Sequence, residues 1–433
     1  MRVVPALALA AWLAVPPGAV CAQPSAAPLT PAARAEVIDT VAARLARMYV
    51  SADTARLIAD RLRARLRAGA YDTASVPARF AELVTTDLRA VNGDLHLGLR
   101  HVGGGGPTPP PGGPPPARST NYGLTKVEIL PGNVGYLEIT GFQGAPGVEE
   151  AVADALRFLS RTDALIVDVR RNGGGSGGMS HLVFSHFLGE TPVPTIRVVE
   201  RGTGRDEVSQ SLARVPGPRR PDVPLYVLTS QGTGSAAEEF SFVLKNQGRA
   251  TIVGDRTAGA GHMVRSVPAG HGFVASISIT RVTDPKTGRE WERDGVQPDL
   301  RVPAERALEA AHAAALTTVA QRADDGGRAL LTRLAEAAEA RGRDARPGAA
   351  ALARWAGVYD GGHRVELTDG RLWYRRRAAV MPEELVPLGG DRFAAGATRF
   401  AFEMAGATPR LTIERADGSR LAYPRTASLA AAR

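Results

Sequence analysis

Leu225-Tyr-Val-Leu-Thr-Ser-Gln-Gly-Thr-Gly-Ser-Ala-Ala-Glu-Glu-Phe-Ser-Phe-Val-Leu-Lys245 passes from an apolar strand through a Gly/Thr turn into an apolar-periodic helix that opens at Ser235. Strand, tight turn and helix form the repeating unit of an α/β sheet. The turn also leaves a hydroxyl at a helix N-terminus, where free N–H groups and the dipole favour negative charge. A serine so placed can attack a carbonyl while neighbouring amides hold the oxyanion. The plainer reading of Ser235 is a helix cap.

The same alternation extends both ways. Val134–Ile139, Ala164–Arg170 and Ala250–Gly254 read as strands, Gly147–Arg161 and Gly178–Leu188 as helices, and Val264–Val282 as a hairpin-like stretch. Residues 121–302 are therefore expected to form an α/β core with mostly parallel strands. Upstream, Val37, Val41, Leu45 and Met48 share one helical face. Leu57, Ile58, Leu62 and Leu66 repeat the pattern, as do Phe80, Leu83, Val84 and Leu88. Residues 28–101 are read as a helical domain, with Thr30-Pro31 as N-cap and first turn. Residues 102–120, rich in Pro and Gly, read as a linker. Residues 303–346 are Ala-rich and helical. Residues 350–428 hold short strands (Arg364–Leu367, Leu372–Arg375, Arg399–Glu403, Arg410–Glu414) between Asp-Gly and Gly-Gly turns. That spacing suggests a small β-barrel or sandwich without a catalytic cluster.

Among 433 residues, 44% are hydrophobic and the formal net charge is +9. The basic residues are almost all arginine, spread along the chain among Glu and Asp; Lys126, Lys245 and Lys286 are the lysines. No basic block is interleaved with aromatics, so nucleic-acid binding is not expected. An anionic envelope or surface is the more natural neighbour for such a charge. Residues 1–22 carry one positive charge, a short apolar run and a small-residue exit, which describe a secretory signal cleaved after Ala22. The run is too short to span a bilayer. The single cysteine, Cys21, falls inside it, and the bulky Val20 before it argues against lipid anchoring. The mature chain would then have no disulfide, thiolate nucleophile or cysteine-ligated metal. A periplasmic or extracellular location is expected, with no further segment apolar enough to cross a membrane.

Val167-Asp-Val-Arg-Arg-Asn-Gly-Gly-Gly-Ser-Gly-Gly178 supports three readings. Gly173-x-Gly175-x-x-Gly178 matches a dinucleotide fingerprint, with Glu200 placed to hold a ribose. Against it, Arg170-Arg171-Asn172 separate the strand from the first glycine. Gly174-x-Ser176-x-Gly178 matches a nucleophile elbow, with His262 and His271 available but no outstanding acid. In the third reading the glycines expose backbone N–H groups at a strand end, as the second half of an oxyanion site beside Ser235.

Three stretches together carry a family resemblance: Ala164-Leu-Ile-Val-Asp-Val-Arg-Arg-Asn-Gly-Gly-Gly175, Thr229-Ser-Gln-Gly-Thr-Gly-Ser-Ala-Ala-Glu-Glu239 and Val253-Gly-Asp-Arg-Thr-Ala-Gly-Ala-Gly-His262. The chain resembles the serine peptidases that include tail-specific (C-terminal processing) proteases, the tricorn core and the repeats of interphotoreceptor retinoid-binding protein. Trp291-Glu-Arg-Asp-Gly-Val-Gln-Pro-Asp299 and Gly93-Asp-Leu-His-Leu97 extend it. The resemblance implies a crotonase/Clp-protease-like α/β spiral. It assigns Ser235 as nucleophile and the amides of Ala236 and of Gly173 or Gly174 as oxyanion donors.

The base departs from the tail-specific pattern. Where those proteases place a lysine, Thr257-Ala-Gly-Ala-Gly261 has Ala260. Lys245 lies ten residues along the Ser235 helix, about 15 Å away. The tricorn-like branch implies a histidine before the core and a glutamate near its close, which His96 and Glu292 match. Leu95 stands where that branch has a serine relay and cannot pass on a hydrogen bond, which leaves Glu292 acting through water or Asp94 orienting the ring. His262 is the reserve base. Fewer than forty residues separate Leu97 from Val134, too few for a PDZ domain, so tail specificity is not implied. The expectation is a serine-type peptidase acting on a peptide or protein, needing no metal or other cofactor. The rival is a non-catalytic binding protein for an apolar ligand on the same fold.

Overall fold

The computed structural model describes residues 29–102, 117–343, 347–377 and 379–429. The expected signal segment 1–22, with Cys21, and most of the linker 102–120 lie outside them, as does the middle of the span judged too short for a PDZ domain.

The centre is a six-stranded sheet in the order Leu300–Arg301, Thr251–Gly254, Leu225–Thr229, Ala164–Asp168, Val134–Ile139, Leu124–Leu130. All neighbours are parallel except the last pair. Strand alternation divides its side chains between two faces. Leu137, Leu165, Val167, Leu225 and Val227 pack under helices Val148–Phe158, Gly177–Ser185 and Ala236–Asn246. Tyr136, Ile166, Tyr226 and Leu228 pack against Ala307, Ala311, Leu316 and Leu331 of helices Ala307–Ala320 and Asp325–Arg341. With both faces covered, the strands read as continuous apolar runs. Strand Ala164–Asp168 ends two residues early because the Asp168 carboxylate accepts the Arg170 N–H at 3.0 Å and turns the chain.

A second, antiparallel sheet joins Gly98–His101, Phe273–Thr283, Pro194–Glu200 and Arg205–Gln210, with Met263–Gly270 also paired to Phe273–Thr283. The hairpin Pro194–Gln210 is legible in the sequence only as a strand ending at Glu200. Its second arm is exposed and polar almost throughout, so it lacks the apolar alternation that marks a strand.

The three N-terminal helices, Pro31–Met48, Ala52–Arg67 and Pro77–Arg89, begin as their caps direct: Thr30 Oγ1 accepts the Ala33 N–H and Ser51 Oγ the Thr54 N–H. Their apolar stripes do not close on one another alone. Val37, Leu45, Ile58, Phe80 and Val84 share a cluster with Phe273, Ile277 and Ile279 of the second sheet. This shared core sets the segment after the third helix, which carries Asp94 and His96, against the central domain.

Residues 357–427 form a nine-stranded antiparallel sheet curled into a barrel-like body around Val365, Leu372, Phe393, Phe400, Phe402 and Leu411. Its two edge strands, Glu383–Glu384 and Val386–Gly389, are separated in the chain by Leu385 alone. The sheet thus rolls until its edges nearly meet, which hides them from edge-to-edge pairing.

Candidate active site

Two strand ends are laced together. Ser230 Oγ donates to the Arg170 carbonyl (2.6 Å) and Thr233 Oγ1 to that of Val169 (2.8 Å). The Gly234 N–H donates to the Asn172 carbonyl at 3.0 Å. Small hydroxyl residues and glycine therefore hold the serine turn against the glycine loop.

Ser235 sits between them at φ 53°, ψ −121°. A non-glycine residue adopts such a left-handed φ at a cost on the order of 1–3 kcal/mol, and it persists only where the surroundings enforce it. The N–H groups of Glu238 and Glu239 donate to the Ser235 carbonyl (2.8 and 3.0 Å). The Ser235 N–H donates to Glu238 Oε2 at 2.8 Å. Ser235 and Glu238 are arranged as a capping box, yet the Glu238 N–H goes to the Ser235 carbonyl and the hydroxyl makes no cap bond among the described residues, which leaves it open to chemistry. The Ala236 N–H makes no backbone hydrogen bond among the described residues.

The glycine loop touches this turn at Gly174. A Cβ there would lie 2.7 Å from both Ser235 Cβ and the Gly234 carbonyl oxygen, and 3.0 Å from the Ala236 nitrogen. The Gly174 φ of 106° also favours glycine. The Gly174 N–H is already given to Asn172 Oδ1 at 2.9 Å. That of Gly173 has no such partner among the described residues, and a Cβ at Gly173 would meet nothing within 4 Å. Of the two glycines expected to supply an amide, Gly173 has the free one.

Glu238, fully buried, joins the serine turn to the loop after strand Thr251–Gly254. Its Oε1 accepts from Thr257 Oγ1 (2.6 Å) and the Gly259 N–H (2.7 Å), and its Oε2 from the Ala260 N–H (2.8 Å). The Ser235 and Ala260 nitrogens thus lie at equal distances from one oxygen, less than twice 2.8 Å apart. Burial pushes the Glu238 carboxyl up, opposed by the bonds from Thr257, Gly259, Ala260 and Ser235. Ala260 occupies the lysine position of the tail-specific pattern and contributes only its backbone.

Two residues on is His262. Glu292 Oε2 accepts the N–H groups of Gly261 (2.7 Å) and His262 (3.1 Å) and lies 3.6 Å from His262 Nδ1. Asp94 Oδ2 lies 3.1 Å from the same Nδ1. Asp94 is wholly buried, and Tyr49 Oη donates to its Oδ2 at 3.0 Å while the His96 N–H donates to its Oδ1 at 3.0 Å. Burial disfavours the His262 cation, but the Asp94 bond and the Glu292 charge outweigh it and hold the pKa above its ordinary value. Asp94 resists burial through His262 and is held low. Glu292 is raised by burial, against the pull of His262, and its Oε1 is buried without a partner among the described residues.

His96 lies near the pair with its Nδ1 buried and without a partner among the described residues. Burial lowers its pKa, Asp94 works against that, and His262 and Arg89 add to the lowering. Asp94, His262 and Glu292 also bring donor atoms within 4.8 Å of one another, close enough to hold a metal ion. The sequence offers Asp94 as one of two orienters of the His96 ring. The structure gives its carboxylate to the His262 ring instead, a pairing across 168 residues with no local signal.

The other candidates are placed as follows. Ser176 is an ordinary N-cap, at φ −71° with its Oγ accepting the Met179 N–H, so the elbow reading loses its strained nucleophile. Glu200 lies in the antiparallel sheet and binds Arg265, whereas a ribose-holding acid should end the neighbouring parallel strand. Lys245 is spent on the Gln297 carbonyl and Asp299. Glu239, one turn beyond Ser235, is pushed up to about 7 by burial.

The model of peptidase family S41 matches residues 133–302. The chain is 28% identical over 172 residues to the carboxy-terminal processing protease CtpB of Bacillus subtilis (strain 168), covering 39% of this chain and 34% of that protein. It is 29% identical over 169 residues to a carboxyl-terminal-processing protease of Synechocystis sp., covering 39% and 37%. The chain thus spans about a third of the length of these relatives. Among solved structures, a putative peptidase from Parabacteroides merdae aligns with 62% of this chain and 90% of its own at 21% identity and TM-score 0.44. The matched segment contains the parallel sheet, both laced loops and the Glu238 and Glu292 bridges, so the likeness to peptidase family S41 lies in the core of this chain, residues 133–302.

Proposed function

We propose that the chain is a secreted serine-type peptidase working through an acyl-enzyme on Ser235. The observation that carries this is the strained Ser235 backbone, with an uncommitted hydroxyl beside an uncommitted Ala236 amide. Ser235 Oγ attacks the peptide carbonyl as its proton passes to His262 Nε2. Asp94 accepts from His262 Nδ1, which fixes the tautomer and stabilises the imidazolium. The Ala236 and Gly173 amides hold the oxyanion. His262 then protonates the leaving amine, and a water, deprotonated by His262, releases the acid. His262 is preferred to His96 because Glu238 binds its loop to the Ser235 backbone and because its Nδ1 has a carboxylate partner. Glu292 positions the His262 loop. The N-terminal segment 1–22 supports a periplasmic or extracellular site of action.

A fluorophosphonate probe tests the reading. The full chain should be labelled on Ser235 and the Ser235→Ala variant should not. Labelling that survives Ser235→Ala, or a wild-type chain that never labels while hydrolysing no peptide, would overturn it.

A further inference from the structure

Between helix Asp325–Arg341 and the outer face of the barrel lies a cavity of about 470 Å³. Strand register explains its lining. Arg399 lies opposite Glu414, and Glu414 opposite Arg420; Arg392 lies opposite Ala401, and Ala401 opposite Thr412. Alternation puts all six on one face of four adjacent strands, while Phe400, Phe402, Leu411 and Ile413 turn into the barrel. The helix adds Arg333 and Glu336, and Arg343 follows it.

Five arginines therefore line a space with two carboxylates, and both carboxylates are committed. Glu414 is paired with Arg333, and Glu336 with Arg399 at 2.7 Å. Arg399 is pinned further by a bond to the Arg333 carbonyl at 2.7 Å. Arg333 and Arg399 are largely buried, with side-chain exposures of 19% and 15%, so this half of the wall is prebuilt. Arg343, Arg392 and Arg420 make no ion pair among the described residues. A cleft with an excess of one sign concentrates counter-ions. Guanidinium groups arriving from several directions suit an oxyanion that accepts bidentate bonds from each.

We propose that this cleft is a binding site for a phosphate-bearing ligand, independent of the Ser235 centre. The phosphoryl group sits between Arg392 and Arg420, with Arg333 and Arg399 as the fixed floor. A phosphorylated small molecule and a phospholipid headgroup present the same chemistry.

The test titrates the full chain with inorganic pyrophosphate by calorimetry, and separately sediments it with phosphatidylglycerol-containing vesicles. Saturable binding of one pyrophosphate per chain is expected. Arg392→Ala and Arg420→Ala, each a change at an exposed side chain, should weaken it about tenfold, the loss of one charge-assisted hydrogen bond. The melting temperature should stay unchanged. Vesicle binding that pyrophosphate displaces identifies a headgroup, and pyrophosphate binding without vesicle binding identifies a soluble phosphate. No pyrophosphate binding, binding indifferent to both substitutions, or vesicle binding that pyrophosphate does not displace overturns the site.

Discussion

His262 and His96 are perturbed in opposite directions, and that separates them by experiment. The base must be neutral to accept the Ser235 proton. For His262, whose pKa is held above about 6.5, acylation should rise with pH through a midpoint above that value. A His96 base, lowered by burial, would give a midpoint below it. A pH profile of acylation rate decides between them. Asp94→Asn should shift the midpoint downward, because it removes the anion that favours the His262 cation. At Gly174, an added methyl would meet Ser235 Cβ and the Gly234 carbonyl at 2.7 Å. Gly174→Ala should cost about 1–3 kcal/mol in stability. By displacing the nucleophile, it should also slow acylation about 100-fold. Thermal melts and probe kinetics read the two effects. Ser235 itself was visible in the sequence because an apolar strand, a small-residue turn and a periodic helix bracket it. Its strained φ was not, since nothing in residue identity reports a conformation that Glu238 and the glycine loop impose together.

The N-terminal helices show what an element borrows from its neighbours. Asp87, in helix Pro77–Arg89, is buried and accepts from Arg61 and Arg65 of the preceding helix and from Tyr71 Oη. Burial works against its charge, but Tyr71, Arg65 and Arg61 prevail and its pKa is lowered. An acid with a depressed folded pKa adds stability above its unfolded value near 3.8, and that stability is lost as pH falls through the folded pKa. Asp87→Asn should cost about 1–2 kcal/mol at pH 7. It should also flatten the acid limb of the melting-temperature profile below pH 4. The three apolar stripes were legible from helical spacing, except at Leu57, which lies 60% exposed on the outer side of its helix. Their partner was not: Phe273, Ile277 and Ile279 lie some two hundred residues on, in a strand whose alternation says only that one face is buried. The same limit hid the second sheet, where the exposed strand Arg205–Gln210 is held by pairing to Pro194–Glu200 rather than by apolar burial.

For the whole molecule, the helical segment 29–101 and the core 121–302 are bound by a common apolar cluster. A chain lacking residues 29–101 would expose Phe273, Ile277 and Ile279 and lose Asp94 from the His262 ring. It should bind a hydrophobic dye strongly and melt without a cooperative transition. A sharp melt with low dye binding would show that the core stands alone. By contrast, the barrel has its own aromatic centre around Phe393, Phe400 and Phe402. Its ties to helix Asp325–Arg341 include the Arg333–Glu414 and Arg399–Glu336 pairs. The turn spacing of residues 350–428 announced a small barrel or sandwich, without choosing between them and without the arginine face it presents to that helix.

The partnership of Asp94 with His262 and Glu292 has a consequence in time. A ribosome delivers the aspartate first, and the other two only after most of the core has been made. Until those last residues emerge, a nascent chain already bearing Ser235 has no oriented imidazole. On the proposed mechanism, the order of synthesis itself keeps a half-made chain inactive.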